Sequence, residues 1–164
     1  MGRVTYMGQI PFNSKEYMAA SEQLHQFAFL EWLRKNHPDL EKKIFAVPNG
    51  GSRNKIEATR MKLEGVKAGV PDLMLPHPFY PYHGLFIEMK SMASGTAPSD
   101  KQIEVIASLR QDNYAAFVCH GWGQAAWLVT SYLKGLNQYA GRDEQTGMNL
   151  LAQLNGEYGA ASWR

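Results

Sequence analysis

The chain has 164 residues, 45% of them hydrophobic and 20% charged, the composition of an ordinary globular protein with enough material for one domain and a real core. No run approaches the roughly 18–20 apolar residues of a membrane span, and the opening Met1-Gly2-Arg3-Val4-Thr5-Tyr6 has neither a signal-peptide core nor, at Tyr6, the Ser or Thr of a myristoylation signal, so neither is expected. One cysteine, Cys119, excludes an internal disulfide and a Cys-based zinc site and fits a reducing cytoplasm, while a net charge of +2 and a pI near 8.6 permit a nucleic-acid partner without requiring one.

Residues 1–13 show no period and read as a lead-in. From Ser14 or Ser21 to about Lys35 the pattern is helical, with Phe29, Leu30, Trp32 and Leu33 on one broad side and Glu31, Arg34 and Lys35 opposite. Glu22 falls between Phe29 and Leu33 on that wheel. Two readings are open for it: a first-turn acid behind an N-cap Ser21, or an acid of a metal site. Asn36-His37-Pro38-Asp39 stops the helix, because Pro38 cannot continue it. Lys43-Ile44-Phe45-Ala46-Val47 reads as a short strand, ended by the turn Pro48-Asn49-Gly50-Gly51. A short polar helix follows, carrying Arg53, Lys55, Arg60, Lys62 and Lys67. It reads as a solvated basic face or, beside a Gly-rich turn that lets a phosphate approach the backbone, as a phosphate contact.

Gly65 and Gly69 bracket the entry to a second strand, Val70-Pro71-Asp72-Leu73-Met74-Leu75, with Pro71 suited to a strand start. The Pro- and aromatic-rich segment 76–84 turns it into an antiparallel third strand; its His77 and His83 have no third ligand nearby and read as loop residues. In that third strand Leu85, Ile87 and Met89 alternate with Phe86, Glu88 and Lys90, the period of a half-buried strand, so Glu88 and Lys90 share a face. Ser99-Asp100-Lys101-Gln102 opens a helix to about Asp112, with Ile103, Ile106, Ala107 and Leu109 on its apolar side and Ser99 and Gln102 spaced as a capping box. Tyr114 to Cys119 is a strand with Cys119 as a core residue, and His120 at its end could face either way. A last helix runs from Gln124 to about Leu136. The order reads α-β-(α)-β-β-α-β-α.

Asp72 and Glu88 place carboxylates inside apolar runs, where an unpartnered charge is costly. Two carboxylates from neighbouring strands, with the Met89 backbone carbonyl, suit Mg²⁺, which takes oxygen ligands and keeps waters for a phosphate. Lys90 could then hold or deprotonate an attacking water or offset charge on phosphorus. The competing reading is a buried ion pair of Lys90 with Glu88 or Asp72, a weak contributor to stability.

Taken together, Glu22, Pro48-Asn49-Gly50-Gly51 with Arg53, Gly65-Val66-Lys67-Ala68-Gly69-Val70-Pro71-Asp72-Leu73, Ile87-Glu88-Met89-Lys90, and Ser99 with Gln102 resemble the VRR-NUC family, a branch of the PD-(D/E)xK nuclease superfamily. The resemblance covers roughly Glu22 to Leu133 and departs from the pattern at none of these positions. It implies an α/β fold with a restriction-endonuclease-like core, a mixed sheet of about four strands flanked by helices. The domain is then expected over 14–136, with 137–164 as a tail or interface segment. By the resemblance, Asp72 and Glu88 are metal ligands, Lys90 is the catalytic lysine, Glu22 completes the site, and Gln102 supports it. Asn49, Gly50, Gly51, Arg53, Lys55, Arg60, Lys62 and Lys67 are the expected DNA contacts. The implied reaction is Mg²⁺- or Mn²⁺-dependent hydrolysis of a DNA phosphodiester, leaving a 5′-phosphate and a 3′-hydroxyl. Family members occur as stand-alone phage or bacterial proteins and fused to larger repair nucleases. A stand-alone protein of this kind is expected in the cytoplasm of a bacterial or phage-infected cell, as a homodimer acting on branched DNA such as a four-way junction. A nuclease for flap, nicked or single-stranded DNA, or a non-cleaving nucleic-acid binder, are the alternatives.

Overall fold

Two serines open two helices where the sequence pattern suggested one. The Ser14 hydroxyl accepts a hydrogen bond from the Tyr17 amide at 3.1 Å and the Ser21 hydroxyl accepts one from the Leu24 amide at 3.2 Å. Each satisfies an amide that a helix start leaves without an internal partner. Helix α1 (Lys15–Ala19) therefore ends at an extended Ala20, and α2 (Glu22–Asn36) starts afresh. Pro38 does more than end α2: it is the first residue of a one-turn helix, α3 (Pro38–Glu41), where its missing amide costs nothing. The computed structural model describes residues 14–48, 55–93 and 96–134. The lead-in at 1–13, Asn49, Gly50, Gly51 and Arg53, and the segment from 135 onward lie outside the described residues, as does the side chain of Lys55.

The remaining elements are β1 (Phe45–Ala46), α4 (Lys55–Leu63), β2 (Leu73–Leu75), β3 (Leu85–Lys90), α5 (Asp100–Gln111), β4 (Ala115–His120) and α6 (Trp122–Leu133). The strands form one sheet in the order β1-β2-β3-β4. The first two pairings are antiparallel: Phe45 faces Met74, and Leu73 faces Ile87. The Ala115 amide donates to the Gly84 carbonyl at 3.0 Å and the Gly121 amide to the Lys90 carbonyl at 2.8 Å. Both partners advance by the same six residues, so β3 and β4 run parallel, joined through α5 as a parallel connection requires. The sheet is mixed and carries helices, as expected.

By internal contacts the chain divides into two compact units, with β3 and β4 contributing residues to both. In one, comprising the described residues among 42–88 and 97–118, Leu73, Leu75, Leu85 and Ile87 are fully buried and Ile106 of α5 is nearly so. Ile103 is 52% exposed, against the expectation that it would join that side. The third strand also departs from a half-buried pattern. From Ile87 onward both of its faces are covered, and Glu88 and Lys90 are 1% and 7% exposed.

The other unit takes in the described residues among 14–41, 89–96 and 119–134. Here α2 packs on α3 and α6 through buried His25, Ala28, Phe29 and Leu33, while Leu30 and Trp32 are only half-buried. Cys119 is a core residue, its thiol pushed up in pKa by burial. The N-terminus of α6 has no side-chain cap of its own, because its N-cap is Gly121. Its free amides are satisfied from far away: Trp122 donates to His25 Nδ1 and Gly123 to the Tyr17 hydroxyl, each at 3.3 Å. Burial pushes the Tyr17 phenol up to about 12, so it serves here as a neutral group.

Gly121 adopts φ +80° and ψ 159°, a region open essentially to glycine alone. A Cβ at this position would overlap the Tyr17 hydroxyl. Gly121→Ala should therefore destabilise the protein by about 2 kcal/mol or more, from strain plus the displaced cap, measured as a lower urea midpoint. His25 supplies a pH dependence. Its Nδ1 must be unprotonated to accept from Trp122, and burial lowers its pKa from 6.5 against a smaller raising contribution from the Tyr17 backbone. Because the unfolded chain binds this proton at higher pH than the folded one, His25's share of stability is complete above 6.5 and declines as pH falls toward the folded value. Urea midpoints between pH about 7 and about 5 should fall less steeply in His25→Asn, whose amide oxygen can accept from Trp122 without titrating.

Candidate active site

Asp72 lies one residue ahead of β2. The register Leu73↔Ile87, carried one step outward, sets Asp72 directly across from Glu88. Residues so opposed share a face with Cβ atoms about 4.5–5.5 Å apart. The same register continues on the other side, where the Val47 amide donates to the Asp72 carbonyl at 2.8 Å. Asp72 is thus pinned between two neighbours at the mouth of the sheet, half-buried, beside a fully buried Glu88. The approach to it is tight: Gly69, at φ +86°, lies so close to α5 that a Cβ would come within 2.7 Å of the Lys101 carbonyl oxygen. Only glycine passes there without moving the loop that carries Asp72.

Gln102 reconciles two sequence readings that looked like alternatives. Its Oε1 accepts from the Ser99 amide at 2.8 Å while the Ser99 hydroxyl accepts from the Gln102 amide at 3.3 Å, a complete capping box. Its Nε2 meanwhile donates to Glu88 Oε1 at 2.5 Å. A primary amide has an acceptor and two donors, so one side chain starts α5 and holds the buried carboxylate.

The lysine and the helix acid form a second cluster. Lys90 Nζ is 3.6 Å from Glu22 Oε1, the lysine side chain 9% exposed and the glutamate 47%. Glu22 is also the first residue of α2, so the first-turn acid is the side chain that pairs with Lys90. The ion-pair reading named Glu88 and Asp72 as acids for Lys90; the structure adds Glu22 of α2 as an acid that pairs with it. Glu88 and Lys90, two apart on β3, share a face.

The donor set fits a hard divalent ion. Asp72 and Glu88 offer two opposed carboxylates and Met89 a strand carbonyl, all oxygen. No group of three or more His, Cys, Asp or Glu able to hold a metal occurs among the described residues. Carboxylate and carbonyl oxygens are the donor type of Mg²⁺, which takes one or two carboxylates and completes its shell with water and phosphate oxygens.

Of the expected DNA contacts, Asn49, Gly50, Gly51, Arg53 and the Lys55 side chain are outside the described residues. Lys62 and Lys67 are exposed. Arg60 is exposed too, and its guanidinium pairs with Glu64 at 2.9 Å, one helical turn on. His83 is exposed with its ring edge-on to Tyr114, in keeping with a loop role. The facing of His120 is settled by the β3–β4 register: Gly121 donating to the Lys90 carbonyl sets His120 beside Lys90 on the same face. The sequence signal for it was a lone polar residue at the C-terminal end of an otherwise apolar strand.

Residues 14–122, well over half of the chain, match the VRR-NUC domain, and this span holds Glu22, Asp72, Glu88, Lys90, Gln102 and His120. A solved structure described as a VRR_NUC domain protein is 29% identical, aligns over 70% of this chain and 89% of its own, and superposes with a TM-score of 0.62. A search of curated proteins finds no significant match. The motifs, the mixed four-stranded sheet and this match agree, and the chain belongs to the VRR-NUC family, a family of nuclease type.

Proposed function

We propose that this protein is a metal-dependent DNA endonuclease that hydrolyses phosphodiester bonds, selective for branched DNA. The observation that carries the reading is the strand register that sets Asp72 across from Glu88, with Gln102 bonded to Glu88 and Lys90 two residues further along the strand. Asp72, Glu88 and the Met89 carbonyl would hold Mg²⁺ or Mn²⁺. The bound ion lowers the pKa of water and offsets charge on the phosphate. Gln102 keeps the Glu88 carboxylate in one orientation. Glu22 holds the Lys90 ammonium in place as a donor toward the attacking water and the phosphate oxygens. Lys62 and Lys67, with Arg60 where it exchanges Glu64 for a phosphate, supply non-specific attraction for the backbone. Branched DNA and a homodimeric state form part of the proposal, since two sites suit the paired strands of a four-way junction.

Labelled junction, flap, nicked, duplex and single-stranded substrates with Mg²⁺ test the substrate, and light scattering tests the assembly. Paired cuts near the junction centre are the expected result; cleavage confined to flaps or single strands would replace the branched-DNA reading. Asp72→Asn and Glu88→Gln should each lower the cleavage rate by about 10²-fold or more while leaving binding measured in Ca²⁺ in place. Full activity in either removes it from the site. Gln102→Glu separates the two roles of that residue, since it retains an acceptor for the Ser99 amide yet presents a carboxylate to Glu88. It should cleave far more slowly than wild type, and Gln102→Ala should in addition lose about 0.5–2 kcal/mol of stability through the broken cap.

A further inference from the structure

His120 is held from two sides within one compact unit. Its backbone amide donates to Gln124 Oε1 at 2.7 Å, which fixes the end of β4 to the first turn of α6. Its ring Nδ1 lies 3.3 Å from the Ser91 carbonyl oxygen. A carbonyl can only accept, so Nδ1 carries the hydrogen and the lone pair of the neutral ring is on Nε2. The ring is half-buried, and Nε2 has no hydrogen-bond partner among the described residues. In the parallel register His120 is the cross-strand neighbour of Lys90, about 4.8 Å away between backbones, with its side chain on the same face. The charged groups facing it are Lys90 from β3 and Glu22 from α2, which pairs with that lysine; α6 presents the uncharged Gln124.

This places the Lys90 ammonium and an imidazole whose Nε2 is available as an acceptor side by side. From this geometry, and resting on the nuclease reading above, we propose that His120 is a further catalytic residue, the base that takes the proton of the attacking water. Lys90, held by Glu22, donates to that water and orients it; His120 Nε2 accepts its proton. The water oxygen forms the new bond to phosphorus as the bond to the 3′ oxygen breaks. The departing oxygen takes a proton from solvent, and the imidazolium later releases its own to solvent.

His120→Asn is the informative variant, because its amide can still donate to the Ser91 carbonyl from the position of Nδ1 while nothing occupies that of Nε2. It should keep the wild-type Tm, bind DNA in Ca²⁺ within about twofold of wild type, and lose about 10²-fold or more in single-turnover cleavage. In His120→Ala, added imidazole should restore part of the rate. Nitrogen-detected NMR of the metal-free protein at neutral pH should find the Nδ1–H tautomer at His120. A wild-type rate in His120→Asn, an Nε2–H tautomer, or an unrescued His120→Ala overturns the assignment. If wild type itself cleaves nothing, the nuclease reading has failed; if wild type cleaves and Glu88→Gln does not, a negative result at His120 counts against the histidine alone.

Discussion

A carboxylate with 1% of its surface exposed has lost the water that would normally solvate it, and Glu88 sits in that position in the middle of a sheet. Such a group persists only where partners are built around it. One partner is Gln102, brought to Glu88 by a helix that begins at the right residue. Another constraint is the β2–β3 register, which sets a second acid, Asp72, across the strand rather than a greasy neighbour that would close the face. Two ionised acids so opposed would repel each other. On the metal-dependent reading proposed above, a cation would share the space between them. The tight passage of Gly69 under α5 and the anchoring of Asp72 to Val47 hold that second acid still.

The lysine is handled differently. Lys90 is nearly buried, yet its partner Glu22 is 47% exposed at a helix start, so the pair is open to solvent on one side. Such pairs add little to stability. What the arrangement supplies is a charged donor in a defined place, with its counterion on the outer side and β4 along the other. The residue that β4 contributes there, His120, is held by Ser91 and Gln124 rather than by an acid.

Much of this was legible before any coordinates. The alternation through Leu85–Lys90, the Ser99/Gln102 spacing and the turn at 76–84 each reflect local physics, and β3, α5 and the β2–β3 hairpin came out where those signals put them. Asp72 and Glu88 stood out because acids interrupt apolar runs. The capping of α6 by Tyr17 and His25 was not legible, since partners 106 and 97 residues apart leave no local trace. Nor was the partner of Lys90, which depends on where α2 is packed. The burial of both faces of β3 left no trace in the alternation, which reports a polar face, and here that face, with Glu88 and Lys90, is covered rather than solvated. Ile103, apolar and helical in spacing, proved exposed, because apolar periodicity marks a side of a helix without saying how far the neighbouring layer extends.

The double duty of Gln102 reaches one residue further than its own contacts. Ser99 has no hydrogen bond to Glu88, yet its hydroxyl and amide both engage Gln102, and through that side chain it sets where the amide nitrogen can point. Changes at 99 and 102 therefore act on one coupled network, and their energies will not add. A substitution at Ser99 that looks like a lost helix cap is also a change in the freedom of a buried carboxylate. The start of α5 and the chemistry of β3 are, in this protein, a single unit of variation.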